Sequence, residues 1–197
     1  MEYSVKEVLL LWGTLIACVV VYVLIREKIN LRRASTGKDK NRIAGIFKQL
    51  LPDTWGNYKL AYACWEKSDY QPGKTVTHYW SYAIAFTWVG IYVVPLLCED
   101  GEIRYKESFY IDKESLGMVN GKKGKGWMTL YDKNQEEILT LEVKAENTKS
   151  DRFHPVNIIQ KEEAADFSRL VDNWLDDVNG RNGVTVSGRY GKPFAEK

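Results

Sequence analysis

The chain begins with an uninterrupted apolar run. Residues 8–25 read VLLLWGTLIACVVVYVLI, 18 residues without a charged side chain. Roughly 20 apolar residues let a helix cross the hydrocarbon core of a bilayer, and this run has no polar face of the kind a soluble helix shows. The pattern therefore predicts one N-terminal transmembrane helix. A cleaved signal peptide is the alternative, but only Lys6 charges the leading segment positively, and no small-x-small cleavage site follows before Arg26.

A polar and basic segment separates this helix from the rest of the chain. Residues 26–42 have no apolar periodicity, which predicts a juxtamembrane linker. Apolar residues then recur at helical spacing over residues 41–51, and Pro52 ends the pattern. We therefore expect a short amphipathic helix at the start of one folded domain, which extends over residues 43–179.

Beyond Tyr58 the chain is rich in Tyr, Trp, Val, Ile and Thr, which favour β-strands. Turn-forming pairs such as Pro72-Gly73 and Asn120-Gly121 divide this region. The clearest alternation of apolar and polar residues lies near its end, at Leu139, Leu141 and Val143. The six predicted strands cover residues 58–67, 76–87, 90–97, 103–112, 127–132 and 138–144.

One stretch of this region has two interpretations. Residues 75–98 contain no Lys, Arg, Asp or Glu over 24 positions, which is long enough for a second transmembrane helix. His78, Ser81 and Pro95 interrupt the run, and Gly90 lies where a turn between two buried strands would fall. A hairpin of two buried strands is therefore the preferred prediction.

The last regular pattern is helical. Over residues 161–179 apolar side chains recur at spacings of three and one, which predicts an amphipathic helix with one continuous apolar stripe. Asn179-Gly180 ends it, and residues 180–197 are Gly-rich and read as a flexible tail. The order of elements predicts an α+β fold, in which a bent antiparallel sheet or barrel of about six or seven strands is capped by the C-terminal helix.

Charge adds a prediction of orientation. The chain has 28 Lys and Arg against 26 Asp and Glu, and this net charge of +2 argues against nucleic-acid binding. Seven basic residues lie within residues 26–42, whereas Lys6 alone precedes the apolar run. The positive-inside rule then places the domain in the cytoplasm and the N-terminus outside. The basic residues nearest the bilayer either contact anionic lipid or only fix the topology: Arg26, Lys28, Arg32 and Arg33.

Cysteine usage agrees with a reducing compartment. Cys18 lies in the apolar run, and Cys64 and Cys98 have no metal-binding spacing, so reduced thiols are expected. The alternative is a reversed topology, in which a Cys64–Cys98 disulfide stabilises an extracytoplasmic domain. The protein would then be a structural subunit of an envelope or secretion assembly.

Four segments carry a family resemblance. They are WSYAIAFTWVGIYVVPL (80–96), FYIDKESLGMV (109–119), WMTLYDKNQEEILTLEV (127–143) and QKEEAADFSRLVDNWL (160–175). In element order and hydrophobic texture they resemble the bacterial pleckstrin-homology-like domains, over roughly residues 50–179. The resemblance implies a cytoplasmic scaffold for binding, carried on a membrane protein and usually without catalysis.

Catalytic chemistry has little support in the sequence. His78 and His154 are the two histidines, and no HExxH, GxSxG, Walker or CxxC pattern accompanies them. A pair of His78 with Cys64 or Cys98 is conceivable, but buried strand residues explain these positions more simply. We therefore predict no enzyme, no catalytic residue, no cofactor and no metal site.

One loop has a distinct chemical character. Residues 120–126 read NGKKGKG, in which glycines let backbone amides converge on an anion beside the ammonium groups. The resemblance implies ligand binding at basic loops between strands, so the candidates for an anion or partner site are Lys122, Lys123 and Lys125. The alternative is a solvated hairpin turn.

Surface aromatic residues suggest a second route to binding. Five aromatic residues occur within 16 positions, and Trp and Tyr are common at interface hot spots: Trp55, Tyr58, Tyr62, Trp65 and Tyr70. We expect several of them to pack under the neighbouring helix and the remainder to mark a partner surface. The leading hypothesis is a membrane-anchored binding module that recognises an unidentified protein partner or an anionic headgroup at the bilayer.

Overall fold

The computed structural model describes residues 5–51, 57–99, 102–148 and 156–183. Two helices precede the strands of the described chain and a third follows them. The helices are α1 (Val5–Ser35), α2 (Lys38–Leu50) and α3 (Lys161–Asn182). The strands are β1 (Lys59–Gln71), β2 (Lys74–Phe86), β3 (Gly90–Glu99), β4 (Glu102–Tyr105), β5 (Phe109–Asp112), β6 (Met118–Gly121), β7 (Trp127–Tyr131), β8 (Glu137–Glu142), β9 (Glu146–Asn147) and β10 (Ile158–Ile159).

Helix α1 is continuous over 31 residues. Its part Leu10–Ser35 is long and apolar enough to cross a membrane, a test that a signal sequence near an N-terminus also passes. None of its most apolar 18-residue window is buried against the rest of the described chain. The helix runs on through most of the predicted linker because Arg, Lys, Glu, Leu and Ala are good helix formers. The chain contains neither Gly nor Pro between Arg26 and Gly37.

The end of α1 is attached to the domain. Gly37 adopts a left-handed conformation with φ of 67°, which turns the chain from α1 into α2. Ala34 is 3% exposed, and this end of α1 contacts β10. The Asp39 carboxylate accepts a hydrogen bond from the backbone N–H of Asn157 at 2.8 Å. The apolar helix therefore continues into the folded domain without a flexible connection.

The strands form an open antiparallel sheet of eight strands, with a separate β9–β10 pair beside it. The order is β4-β3-β2-β1-β8-β7-β6, and β5 pairs with β3. The sheet consists of two wings, β1 to β5 and β6 to β8, joined by the single pair Cys64↔Glu142. This confirms the α+β prediction, although the sheet is not closed into a barrel. The predicted strand 103–112 is two strands, and β6 was not predicted.

The uncharged stretch 75–98 is the β2–β3 hairpin, as preferred from the sequence. Its register runs from Ser81↔Leu96 to Phe86↔Ile91. Over residues 81–96 the hairpin carries no charge because both of its faces are covered. One face packs toward α3 and the other toward α2. The alternative of a second transmembrane helix is therefore wrong.

Two apolar cores lie on opposite faces of the first wing. The larger one fills the space between the sheet and α3, and its largest fully buried side chain is Trp174. The smaller one lies under α2, where Ile43, Phe47 and Leu51 pack on Tyr62, Ala83 and Val94. The predicted stripe of α3 is confirmed: Phe167, Leu170, Val171, Trp174 and Val178 are buried.

Two side-chain amides, one at each end of α3, form hydrogen bonds with the backbone of the sheet. Gln160, 1% exposed, donates to the carbonyl oxygens of Tyr62 at 2.7 Å and Lys144 at 2.8 Å. Its own oxygen accepts from the Tyr62 N–H at 2.8 Å. Asn179 pairs in the same way with the N–H and carbonyl of Val119, at 3.0 and 2.8 Å. Helix α3 thereby links β1 in one wing to β6 in the other.

Candidate functional site

The basic loop predicted from the sequence connects β6 to β7. The backbone N–H of Lys125 donates to the Lys122 carbonyl at 3.0 Å, and Gly124 has a φ of 71°, so the loop is a tight turn. Its glycines also permit close packing, since a Cβ on Gly126 would lie 2.7 Å from the Val143 carbonyl oxygen. All three lysines are solvent-exposed.

Carboxylates of α3 face this loop. The ammonium group of Lys123 lies 2.6 Å from a carboxylate oxygen of Asp176. The N–H of Gly124, one of the amides expected to meet an anion, donates to Asp172 at 2.8 Å. An incoming phosphate or carboxylate would have to displace Asp172 from that amide. Lys122 and Lys125 stay exposed at the rim of the turn.

The four basic residues of the predicted membrane-surface set lie on the last three turns of α1. Arg26, Lys28, Arg32 and Arg33 are all exposed. Arg26 and Arg33 are seven positions apart and share one face, whereas Lys28 and Arg32, four apart, share another. The charges thus surround the helix directly after its apolar part. They are on a different element from the lysine loop, which packs on α3.

Strands β1 and β2 extend well beyond the sheet. Both are 13 residues long and pair along their whole length, but only their inner halves are buried. Residues 65–71 and 74–80 form a two-stranded projection, which we call the ribbon. Seven residues per strand correspond to a reach of roughly 20 Å. The ribbon is the exposed continuation of the two strands beyond their buried inner halves.

Aromatic side chains line one face of the ribbon. The rings of Trp65 and Trp127 stack with centroids 6.4 Å apart, and those of His78 and Trp80 with centroids 5.8 Å apart. Trp65 and Trp80 are directly paired across the strands, so the four rings form one row. Trp80 is 39% exposed. The row explains how an isolated two-stranded ribbon keeps its shape, and it offers a partner a stiff aromatic surface.

The sequence located this surface only in part. Of the five clustered aromatic residues, Tyr62 is buried under α2 and donates or accepts a hydrogen bond with Ser81 at 2.9 Å. Trp65 and Tyr70 are on the ribbon, and Tyr70 is 85% exposed near its tip. Trp55 lies outside the described residues. Trp80, Trp127 and His78 are distant in sequence, so their alignment with Trp65 depends on strand pairing.

The candidate reactive residues are separated. His78 is on the aromatic face of the ribbon, whereas Cys64 points to the opposite face, because successive strand residues alternate. Cys64 is a free thiol, and its burial raises the pKa of the thiol to about 11. His154 and the side chain of Cys98 lie outside the described residues. Within the described part, no group of three or more metal-ligating side chains occurs.

The spacing of the strands also bears on the alternative disulfide. Cys64 is in β1 and Cys98 in β3, and β2 lies between these two strands. Neighbouring strands lie about 4.8 Å apart. Two such spacings therefore separate the Cα atoms of Cys64 and Cys98 by more than the roughly 7 Å that a disulfide tolerates. The described backbone is therefore incompatible with a Cys64–Cys98 bridge.

A cleft of about 420 Å³ lies between α2, the start of β1 and the start of α3. Two ion pairs cross its wall, Lys40 with Glu163 and Lys59 with Asp166. The polar groups of this cleft are thus largely matched within the chain. A smaller cavity of about 240 Å³ adjoins it beside Trp88, and it too is lined by Lys59 and Asp166.

The chain is thus an α+β domain with an apolar N-terminal helix. No protein family and no curated protein matches its sequence. Among solved structures it matches the hSac2 domain from human phosphoinositide phosphatase Sac2, with a TM-score of 0.35 and 12% sequence identity. The match covers 84% of this chain and 99% of that one. Similarity at this level carries no argument about ligand or activity.

The comparison nevertheless corrects one prediction. From the sequence we predicted that the chain is not an enzyme, whereas the matched domain comes from a phosphatase. As a general exclusion that prediction is wrong, and catalysis is not excluded for this chain. At 12% identity the match assigns it no reaction and no catalytic residue.

Proposed function

We propose that this chain is a single-pass membrane protein with a pleckstrin-homology-like binding module on the cytoplasmic side of the cell membrane. Its N-terminus faces outward. The observation that carries the proposal is the continuity of α1, which passes from the apolar run directly into contacts with β10. A helix joined in this way holds the domain in a fixed position at the bilayer surface.

The basic residues support the orientation. Arg26, Lys28, Arg32 and Arg33 follow the apolar run immediately and surround the helix, where the positive-inside rule and attraction to anionic headgroups act together. Each such residue contributes about 1 kcal/mol near an anionic surface. The bilayer is therefore the first partner of the chain.

A protein is the second partner, and the ribbon is its recognition surface. Exposed aromatic side chains on a projecting and pre-ordered element are typical of interface hot spots. An anionic headgroup at the lysine loop is the weaker candidate, because Asp172 and Asp176 already engage Gly124 and Lys123. The module therefore presents the ribbon to a neighbouring protein at the membrane.

Photo-cross-linking in living cells tests this proposal. A photoreactive amino acid replaces Tyr70 on the ribbon, and the control replaces Lys133, which is also exposed and lies in the β7–β8 turn. We expect a discrete protein adduct from position 70 and none from position 133. The absence of an adduct at position 70, or the same adduct at both positions, would contradict the assignment of the ribbon.

A further inference from the structure

The turn between β2 and β3 presents two adjacent apolar side chains to solvent. Trp88 is 57% exposed and Val89 is 63% exposed. Turns of soluble domains usually carry Gly, Asn, Asp or Ser at such positions, and single exposed apolar residues are ordinary. Two adjacent ones, one of them a Trp, indicate a contact surface.

Hydrogen bonds within the domain fix the shape of this turn. The N–H of Val89 donates to the hydroxyl of Thr87 at 3.3 Å. The carbonyl of Trp88 accepts from the indole N–H of the buried Trp174 at 3.0 Å, and the carbonyl of Val89 accepts from the N–H of Lys113 at 3.0 Å. The turn is therefore ordered before it meets a partner, which lowers the entropy cost of binding.

The same hydrogen bonds suit the turn to the interface of a bilayer. A backbone group that leaves water without an internal partner raises the free energy of insertion. Here both carbonyls of Trp88 and Val89 and the N–H of Val89 are bonded within the chain. Trp also favours this environment, because its ring is apolar and its N–H is polar. These properties favour lipid as the partner of the turn.

The turn lies at the same end of the sheet as the junction of α1 with α2. Lys59, the first residue of β1, pairs with Phe86, two residues before Trp88. The first turns of α2 line the 420 Å³ cleft together with residues 58–61, and α2 begins directly after α1. Strand β1 has 13 residues, so its ribbon end lies about 40 Å from this end of the sheet.

Cationic side chains beside the turn complement anionic headgroups. Lys59 and Arg169 both form ion pairs with Asp166, and they line the 240 Å³ cavity together with Trp88. Their side chains are 56% and 68% exposed, whereas that of Asp166 is 13% exposed. Two exposed cations share one largely buried carboxylate, so the outer surface of this cavity is positively charged.

We propose that the turn of Trp88 and Val89 inserts into the anionic surface of the bilayer that α1 crosses, with Lys59 and Arg169 against the headgroup phosphates. The inference rests on the proposed function in taking α1 as a membrane span, and it names the surface of the domain that contacts lipid. Two attachments, α1 and the turn, set the tilt of the domain. The ribbon then extends away from the bilayer, toward the cytoplasmic part of its partner.

Quenching of a fluorescent label by lipid tests this contact. The full chain carries Val89→Cys, labelled with the fluorophore NBD, in a background in which Cys18, Cys64 and Cys98 are replaced by Ser. It is reconstituted into vesicles of phosphatidylcholine and phosphatidylglycerol, and Tyr70→Cys on the ribbon is the control. We expect a lipid with a doxyl group near its headgroup to quench the label at position 89 about threefold more strongly than the label at position 70. Equal quenching at the two positions, or none at position 89, would overturn the inference.

A charge placed on the turn supplies a second readout. Trp88→Asp should abolish the quenching at position 89, because a carboxylate is repelled by anionic headgroups and is costly to insert. Thr75→Asp makes the same change of charge at an exposed position of the ribbon and should leave the quenching unchanged. Quenching that survives Trp88→Asp, or that both variants reduce equally, would refute the role of the turn.

Photo-cross-linking tests the same contact with all native cysteines in place. A photoreactive amino acid at position 88 of the full chain should form an adduct with phospholipid, detected by mass spectrometry. An adduct with a protein in its place would overturn the inference. If position 89 is not quenched while position 70 still forms its protein adduct, the proposed function stands and the contact of the turn with lipid is refuted.

Discussion

At the scale of single residues, two side-chain amides act as substitutes for strand pairing. The wings meet at one backbone pair, and Gln160 and Asn179 bind the backbone of β1 and β6 from the two ends of α3. Both residues are almost fully buried. An amide is suited to this position because it presents one donor and one acceptor group in the spacing of a peptide unit.

Replacing Gln160 therefore destabilises the domain. Gln160→Leu keeps the volume but leaves the Tyr62 N–H and two carbonyl groups without their partner in a buried site. We expect a loss of about 3 kcal/mol and a melting temperature lower by about 10 °C, measured in detergent micelles. Gln49→Leu, at an exposed position of α2, is the control and should change stability by less than about 0.5 kcal/mol. Equal melting temperatures for the two variants would refute the role of Gln160.

Burial of Cys64 makes the stability of the domain depend on pH in the alkaline range. Burial raises the pKa of this thiol from 9.0 to about 11, so the folded state holds its proton more tightly than the unfolded chain does. The resulting contribution to the free energy of unfolding is fully present below pH 9 and is lost as the pH rises toward 11. It amounts to about 1.4 kcal/mol per unit of pKa shift. Burial also raises the pKa of Tyr82 to about 12, which adds a loss above pH 10.

Unfolding free energies measured between pH 8 and pH 11 check this prediction. Cys64→Ala should make the free energy of unfolding fall less steeply between pH 9 and pH 10, where Tyr82 contributes little. The packing lost in this variant lowers the free energy of unfolding equally at every pH and leaves the slope unchanged. Cys18→Ala leaves the buried thiol in place and should keep the wild-type slope. A Cys64→Ala profile parallel to that of the wild type would contradict the assignment.

At the scale of elements, the basic loop is paired with an acidic face of α3. Asp172 and Asp176 occupy the groups that would bind an anion. Asp172→Ala with Asp176→Ala should therefore increase binding to vesicles of anionic lipid, in a salt-sensitive way, by a few-fold. Replacing Lys122, Lys123 and Lys125 with Ala should reduce the binding.

A charge-matched pair separates this local effect from the net charge. Glu107→Ala with Glu136→Ala removes the same number of carboxylates at exposed positions away from the loop. If this pair increases vesicle binding as much as the change at Asp172 and Asp176, the loop has no specific role. The difference between the two double variants is the quantity to measure.

The elements with strong local patterns were predictable from the sequence. The apolar run of α1 and the apolar stripe of α3 each fit only a helix, and both were found where expected. Strand β6 was missed because Met118–Gly121 is four residues long and its backbone is held by Asn179, 60 positions away. The full length of β1 and β2 was underestimated, since the outer ribbon is polar and depends on cross-strand rings rather than on burial.

At the scale of the whole molecule, the sequence identified residue types for binding but not their arrangement. The lysine loop is a turn, the alternative to an anion site, but it lies at residues 122–125 because Asn120 and Gly121 belong to β6. The carboxylates opposite it lie about 50 positions further on, on another element. The aromatic row combines Trp65, Trp80 and Trp127 from three strands, and only the pairing register brings them together. Non-local pairing of this kind leaves no pattern in a single stretch of sequence.

We propose that α1 crosses the membrane with its N-terminus outside and the ribbon in the cytoplasm. The most direct test is labelling with a membrane-impermeant maleimide, with Lys6→Cys and Tyr70→Cys each placed in a background in which Cys18, Cys64 and Cys98 are all replaced by Ser. We predict that Lys6→Cys reacts in intact cells, whereas Tyr70→Cys reacts only after the cells are opened and stays with the membrane in alkaline carbonate. Labelling of Tyr70→Cys in intact cells, or its release from the membrane by carbonate, would contradict this orientation of α1.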